Sequence, residues 1–302
     1  MNRGRSIASN ESNFRRLWAA CSELIKLRLT SMVLITTAMG FYLASPGNFN
    51  WMLLINTLLG TGLLASAAAA LNQYAEREYD ARMPRTAKRP IPSGEISSRK
   101  AVIFGGVAAI LGIIYLAHAV NFITSLIGAI TLISYIDVYT PLKRVTSLNT
   151  LIGAIPGALP PLMGWTAVTG NQGVLAPEAW SLVAILFFWQ LPHFLAIAWI
   201  YRDDYSNAGF EMISKGEKGA VNTGQSALLY CLALVPSAIS PYLLGISGSL
   251  YLFGAFLLSV YFLLLSFRFS KEMTLESARS LFYYSLLYLP LLLGLMIWDR
   301  TI

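Results

Sequence analysis

The sequence predicts an all-α fold, a polytopic membrane helix bundle of about nine transmembrane helices, on three observations. The 302 residues are 56% hydrophobic and 12% charged with a mean hydropathy of +0.58, more apolar side chain than a soluble domain can bury. Apolar stretches long enough to span a bilayer fall near 29–45, 52–71, 101–120, 121–140, 148–168, 176–200, 226–245, 249–268 and 281–298. In that nine-helix arrangement 21 of the 22 Lys and Arg residues lie on one side, and Arg300 alone on the other.

Taken in order, the first 22 residues mix Arg and Ser with Glu11 and precede no signal-type apolar core or small-residue cleavage site. The expectation is a cytoplasmic N-terminal tail over 1–25 and a single transmembrane domain over 26–302, in a bacterial inner membrane. The cations cluster before the first span, over 77–100, at Lys143 and Arg144, over 202–218 and over 268–279, so these segments and the N-terminus are expected in the cytoplasm. The third and fourth stretches run together at Asn121. The fifth carries Pro156, Pro160 and Pro161 with Gly153, Gly157 and Gly164, so a count of eight or ten turns on these two places. Irregular backbone at membrane depth is tolerated where it lines a cavity or packs against protein. The net charge of +7 is spent on this asymmetry, which removes the case for nucleic acid. Cys21 and Cys231 are too far apart in this arrangement for a disulfide framework.

The chemistry concentrates at the foot of the second stretch, in LNQYAEREYDARMPRTAKRPIPSG. Asn72, Glu76 and Asp80 are spaced by four, so on a helix they share one stripe, drifting about 40° per step and spanning roughly 12 Å. Such a row of oxygens suits Mg²⁺, which keeps waters and binds through one or two carboxylates plus substrate phosphates. Arg82, Arg85, Lys88 and Arg89 follow at once, with the charge and forked donors that hold phosphate oxygens. A basic run alone reads as a solvated loop at a membrane surface, but acids in helical register beside it favour a metal-diphosphate site. Asp203 and Asp204 recur at the end of a later span, followed by Lys215 and Lys218, as a second acidic cluster that would face the first. Lys143 and Arg144, with Tyr139, Thr146 and Asn149 as donors, would close the positive side; by itself the KR pair is an orientation signal. His193, flanked by Trp189, Gln190 and Pro192 within a span, is either a packed residue, a proton carrier or a ligand, and is placed on the acceptor side; His118 reads as interfacial.

These segments resemble the UbiA-type intramembrane prenyltransferases from about Lys26 to the last helix: Asn72, Glu76 and Asp80; RTAKRP over 85–90; KRVT over 143–146; and Asp203 with Asp204. GALPPLMGW over 157–165, WQLPHF over 189–194 and YRDDYSNAG over 201–209, with Gln73 and Glu76 where quinone-type members usually have two aspartates, point to the haem-modifying branch. Tyr205 stands where many members have another acid, which thins the second metal site. The resemblance implies transfer of the farnesyl group of farnesyl diphosphate to a vinyl group of haem B with addition of water, giving haem O and diphosphate. It implies Mg²⁺ on Asn72, Glu76, Asp80, Asp203 and Asp204, diphosphate on Arg85, Arg89, Lys143, Arg144 and Thr146, and haem near His193, Gln190 and Trp189. The lipid bilayer, and haem A synthase or terminal-oxidase assembly proteins, are the further expected partners. Alternatives are an aromatic prenyltransferase of quinone or chlorophyll biosynthesis, a transporter and a non-catalytic haem scaffold.

Overall fold

The computed structural model describes residues 15–45, 47, 49–216 and 218–301. Among them nine helices are long and apolar enough to cross a membrane, as expected: α1 Leu27–Ala44, α2 Trp51–Asp80, α3 Ser98–Ala119, α4 Phe122–Leu142, α5 Asn149–Val174, α6 Pro177–Ile200, α7 Gly219–Leu243, α8 Ser249–Glu272 and α9 Leu275–Trp298. The expected tail lies outside the described residues over 1–14; residues 15–24 are helical.

The ambiguous junctions are resolved by local chemistry. Asn121 separates α3 from α4 because its side chain accepts from the Thr124 amide at 2.9 Å while its amide donates to the Thr166 carbonyl at 2.9 Å. The fifth span stays one crossing with a break at Leu159, where Pro160 and Pro161 start a second helical segment whose first turn needs no amide donors. Its backbone is tolerated because α5 is the most buried of the nine spans. Within α4, residues Ser134–Tyr139 form a π-helical turn, and the Thr140 hydroxyl donates to the Tyr135 carbonyl at 2.8 Å. Such a turn re-aims the side chains that follow it.

The helices form a bundle in which α2 packs along α3, α1 along the second segment of α5, and α6 along α7 and α9, with α8 against α7 and α9. One core runs from Met39 on α1 to Met296 on α9. Large apolar side chains such as Leu229, Phe253 and Leu264 are more than half exposed on the outside, the inverse of a soluble protein and the surface a lipid phase requires. Small residues set the closest crossing: a Cβ on Gly40 would fall 2.0 Å from the Pro161 carbonyl oxygen, and one on Gly164 1.9 Å from that of Thr37.

The two ends of the bundle differ. At one, the chain end is fastened to the α7–α8 connection: Gly248 donates to the Asp299 carbonyl at 2.8 Å, and Thr301 to the Ile246 carbonyl at 3.0 Å. Arg300 donates to the Ser45 carbonyl and lies 4.6 Å from the Tyr42 ring, so the one cation expected on this side is engaged in fastening the structure. The other end carries the foot of α2, the 81–97 segment, Lys143 and a short helix Arg202–Ala208.

Candidate active site

Helix α2 continues past its apolar stretch to Asp80, which keeps the ladder in register. Asn72, Glu76 and Asp80 are all buried and line one cavity of about 130 Å³ together with Lys26, Arg85, Arg89, Tyr139 and Lys143. Each rung is met by a separate element. Lys26 donates to the Asn72 Oδ1 at 2.9 Å, and the Asn72 amide donates to Thr140 at 3.1 Å. Lys143 pairs with Glu76 at 2.7 Å and Arg89 with Asp80 at 2.6 Å. Buried carboxylates need such partners. Burial disfavours charge on Lys143, but the Glu76 carboxylate outweighs it and holds the ammonium's pKa well above the ordinary lysine value. With four cations against two carboxylates on its wall, the cavity has a surplus positive charge of two before any ligand enters.

The sequence did not single out Lys26. It immediately precedes α1, and its backbone is left-handed, with φ of 48°. That conformation costs a non-glycine residue on the order of 1 kcal/mol and turns the chain from the 15–24 helix into α1. The buried Gln73 amide fixes the turn by donating to the carbonyls of Glu23 and Leu24 at 2.8 and 3.0 Å.

The remaining expected diphosphate residues divide. Arg85 stands at the mouth, donating to the Tyr205 hydroxyl at 2.5 Å with its guanidinium 4.6 and 4.7 Å from the Tyr201 and Tyr205 rings. Arg144 turns from the cavity, donating to the Ala75 carbonyl at 2.7 Å and stacking 4.1 Å from Tyr79. The Thr146 carbonyl accepts from Asn149 at 2.7 Å, and Asn149 also donates to the Glu211 carbonyl at 2.6 Å, which ties the KRVT segment to the 209–212 strip. Thr146 is absent from the cavity wall, and Lys88 lines an outer groove instead.

Asp203 and Asp204 are not brought against the ladder. Asp203 is exposed, its one ion-pair approach among the described residues being Arg202 at 3.9 Å, and neither aspartate is on the cavity wall. The short helix that carries them turns Tyr205 inward, toward Arg85 and Phe210.

His193, Trp189 and Gln190 are also off that wall, which α6 lines with Phe194 and Ile197; periodicity turns Trp189 and His193 away from it, and Gln190, on the same stripe as Phe194 and Ile197, lies one turn further in. His193 is hydrogen-bonded through Nδ1 to Ser285 at 2.7 Å and flanked by Trp189 and Phe282, while the Trp189 indole donates to the Ser285 carbonyl at 2.8 Å. Gln190 donates to the Ala154 carbonyl at 2.8 Å beside the break in α5. All three brace α6 against its neighbours. His193→Ala is therefore expected to lower the thermal melt, by about 1–3 kcal/mol of stability, and to weaken both substrates together. Selective loss of acceptor affinity in titrations of the variant would return His193 to the acceptor side.

A buried row of oxygen side chains, each answered by a cation, thus lies at the cation-rich end of the bundle, in a cavity whose wall carries more positive than negative charge. A family model described as the UbiA prenyltransferase family matches residues 33–289. The chain belongs to the UbiA prenyltransferase family. A protoheme IX farnesyltransferase from Solibacter usitatus (strain Ellin6076) is 45% identical over 287 residues, covering 92% of this chain and 97% of that one. Among solved structures, a digeranylgeranylglyceryl phosphate synthase superposes with a TM-score of 0.78 at 17% identity, over 94% of this chain and 98% of that one. A UbiA homologue from Archaeoglobus fulgidus bound to DMAPP and Mg²⁺ superposes with a TM-score of 0.65 at 16% identity, over 92% and 99%. UbiA membership fixes the reaction class as prenyl transfer within a membrane and leaves the acceptor to be argued.

Proposed function

We propose that this protein transfers the farnesyl group of farnesyl diphosphate to a vinyl group of haem B, with addition of water, giving haem O and diphosphate. The observation that carries the reading is the ladder of Asn72, Glu76 and Asp80 buried in a cavity with excess positive charge. The acceptor follows from the similarity to protoheme IX farnesyltransferases over nearly the whole chain.

The ladder's donors are hard oxygens only, the set that suits Mg²⁺, and the two carboxylates leave coordination positions for phosphate and water. Asn72, Glu76 and Asp80 would hold Mg²⁺ there, and the ion would supply positive charge for a leaving diphosphate. Lys143, Arg89, Lys26 and Arg85 hold phosphate oxygens, and their attraction strengthens as the allylic C–O bond breaks and charge gathers on the leaving group. Phe194, Ile197, Phe210 and Met212 exclude water from the allylic cation, while the Tyr139 and Tyr205 rings on the same wall are stacked with Lys143 and Arg85. The vinyl terminal carbon then gives its electron pair to the farnesyl carbon, and the cation left beside the pyrrole takes up water and releases a proton. A cavity of about 130 Å³ takes the headgroup, so the farnesyl chain extends between helices toward lipid. Asp203 and Asp204 lie outside the cavity wall, on the same short helix as Tyr205.

In this reading residues 26–302 act as one transmembrane domain in a bacterial inner membrane, with the cation-rich end cytoplasmic. A reporter fused after the last residue is expected to read the periplasm and one in the 81–97 segment the cytoplasm; the reverse pattern overturns the orientation. The reaction is tested by incubating purified protein in detergent with haem B, farnesyl diphosphate and Mg²⁺ and weighing the extracted haem. A gain of one farnesyl and one hydroxyl group, lost with EDTA and restored by Mg²⁺, is expected. Unmodified haem overturns the assignment.

A further inference from the structure

Beside the cavity, at the same end of the bundle, lies a groove of about 410 Å³ between the 15–24 helix and the 85–95 segment. Arg16, Ala19 and Glu23 line one side, at spacings that place them on one helical face, and Lys88, Arg89 and Glu95 the other. Arg85 and Arg89 line both the groove and the cavity. Arg89 is committed to Asp80 and Arg85 to the two tyrosines, whereas Arg16 and Lys88 make no ion pair among the described residues. The walls are held in place from beneath. Ala20 and Leu24 pack with Ile91 and Ile96 in a small core, and Gln73 fastens the end of the helix to α2. Two cations without an ion pair among the described residues thus line the two sides of a groove that also holds the small side chains of Ala19, Ala20 and Pro90.

We propose that this groove binds the two propionate carboxylates of the porphyrin acceptor, with Arg16 and Lys88 as their cations; the assignment rests on the haem reading above. In haem the propionates and the vinyl groups occupy opposite edges of a rigid plane. Holding the propionate edge in the outer groove therefore directs the vinyl edge past Arg85 and Arg89 toward the diphosphate cavity, which is the orientation the reaction needs. Glu23 and Glu95 on the rim disfavour a ligand with the dense charge of a second diphosphate, while two separate single charges match two separate cations.

The test compares wild type with the double variant Arg16→Gln/Lys88→Gln, using haem B and its dimethyl ester, in nanodiscs of neutral and of anionic lipid. The variant is expected to raise the KM for haem B about tenfold, the worth of one partly exposed charge-assisted hydrogen bond, without a matching loss of kcat. Wild type and variant should coincide on the ester, at the raised value. Affinity for a non-reactive farnesyl thiodiphosphate, by calorimetry, and the thermal melt should hold, which separates the effect from misfolding. Equal KM values for variant and wild type, or equal use of haem and ester by wild type, overturn the proposal. Loss of thiodiphosphate affinity instead assigns the groove to the diphosphate, and an effect confined to anionic lipid assigns it to lipid headgroups. Absorbance titration with haem B and the ester reads the groove even if wild type turned over no haem, so failure of the proposal and failure of the function are distinguishable.

Discussion

Glu76→Gln and Asp80→Asn are each expected to lower turnover by on the order of 10³-fold or more while leaving a folded protein. Both changes keep side-chain volume and remove one negative charge from the cavity wall. In the structure each carboxylate neutralises a buried or half-buried cation, Glu76 with Lys143 and Asp80 with Arg89. Losing an acid therefore removes a metal oxygen and leaves a cation without its partner, a stability cost that bound diphosphate would offset. The measurement is single-turnover haem conversion at saturating Mg²⁺, with a thermal melt on the same preparation. Near-wild-type rates in both variants would take the ladder out of the mechanism.

Gly164→Ala is expected to cost about 3 kcal/mol or more, enough to remove most folded protein from the membrane fraction. The added methyl would lie 1.9 Å from the Thr37 carbonyl oxygen and 2.6 Å from the Phe41 nitrogen, both backbone atoms of α1. Backbone cannot swing aside as a side chain does, so α1 and the second segment of α5 would have to part. Gly106→Ala is the control: a Cβ there meets nothing within 4 Å. Fluorescence-detected chromatography after a heating series reads both variants, and matching melts would show that this crossing does not limit stability.

Much of the site was legible because its signals are periodic and local. A spacing of four survives folding as one helical face, and α2 continues to Asp80, so Asn72, Glu76 and Asp80 stayed together. Lys143 and Arg89, close to oxygen-bearing segments on the cation-rich side, also reached the cavity. Lys26 was missed because one lysine in a cluster of cations before a span reads as an orientation signal; its left-handed backbone and its bond to Asn72 exist only once α1 and α2 pack. Which side of the seven-residue helix carrying Asp203 and Asp204 faces inward is not legible in its sequence; in the fold Tyr205 is the residue on the cavity wall.

The sequence by itself determined the membrane class, the nine crossings, the asymmetry of charge between the two ends and the ladder, because each follows from composition or from a period along one element. Only the tertiary structure decided which cation answers which acid, that α5 breaks at Leu159 without losing its crossing, and that His193 faces Ser285 and not the cavity. Those outcomes depend on the rotation of each helix about its axis and on the depth at which neighbours meet. Both are set by packing between segments far apart in the chain, where small residues such as Gly40 and Gly164 permit an approach that larger ones would forbid.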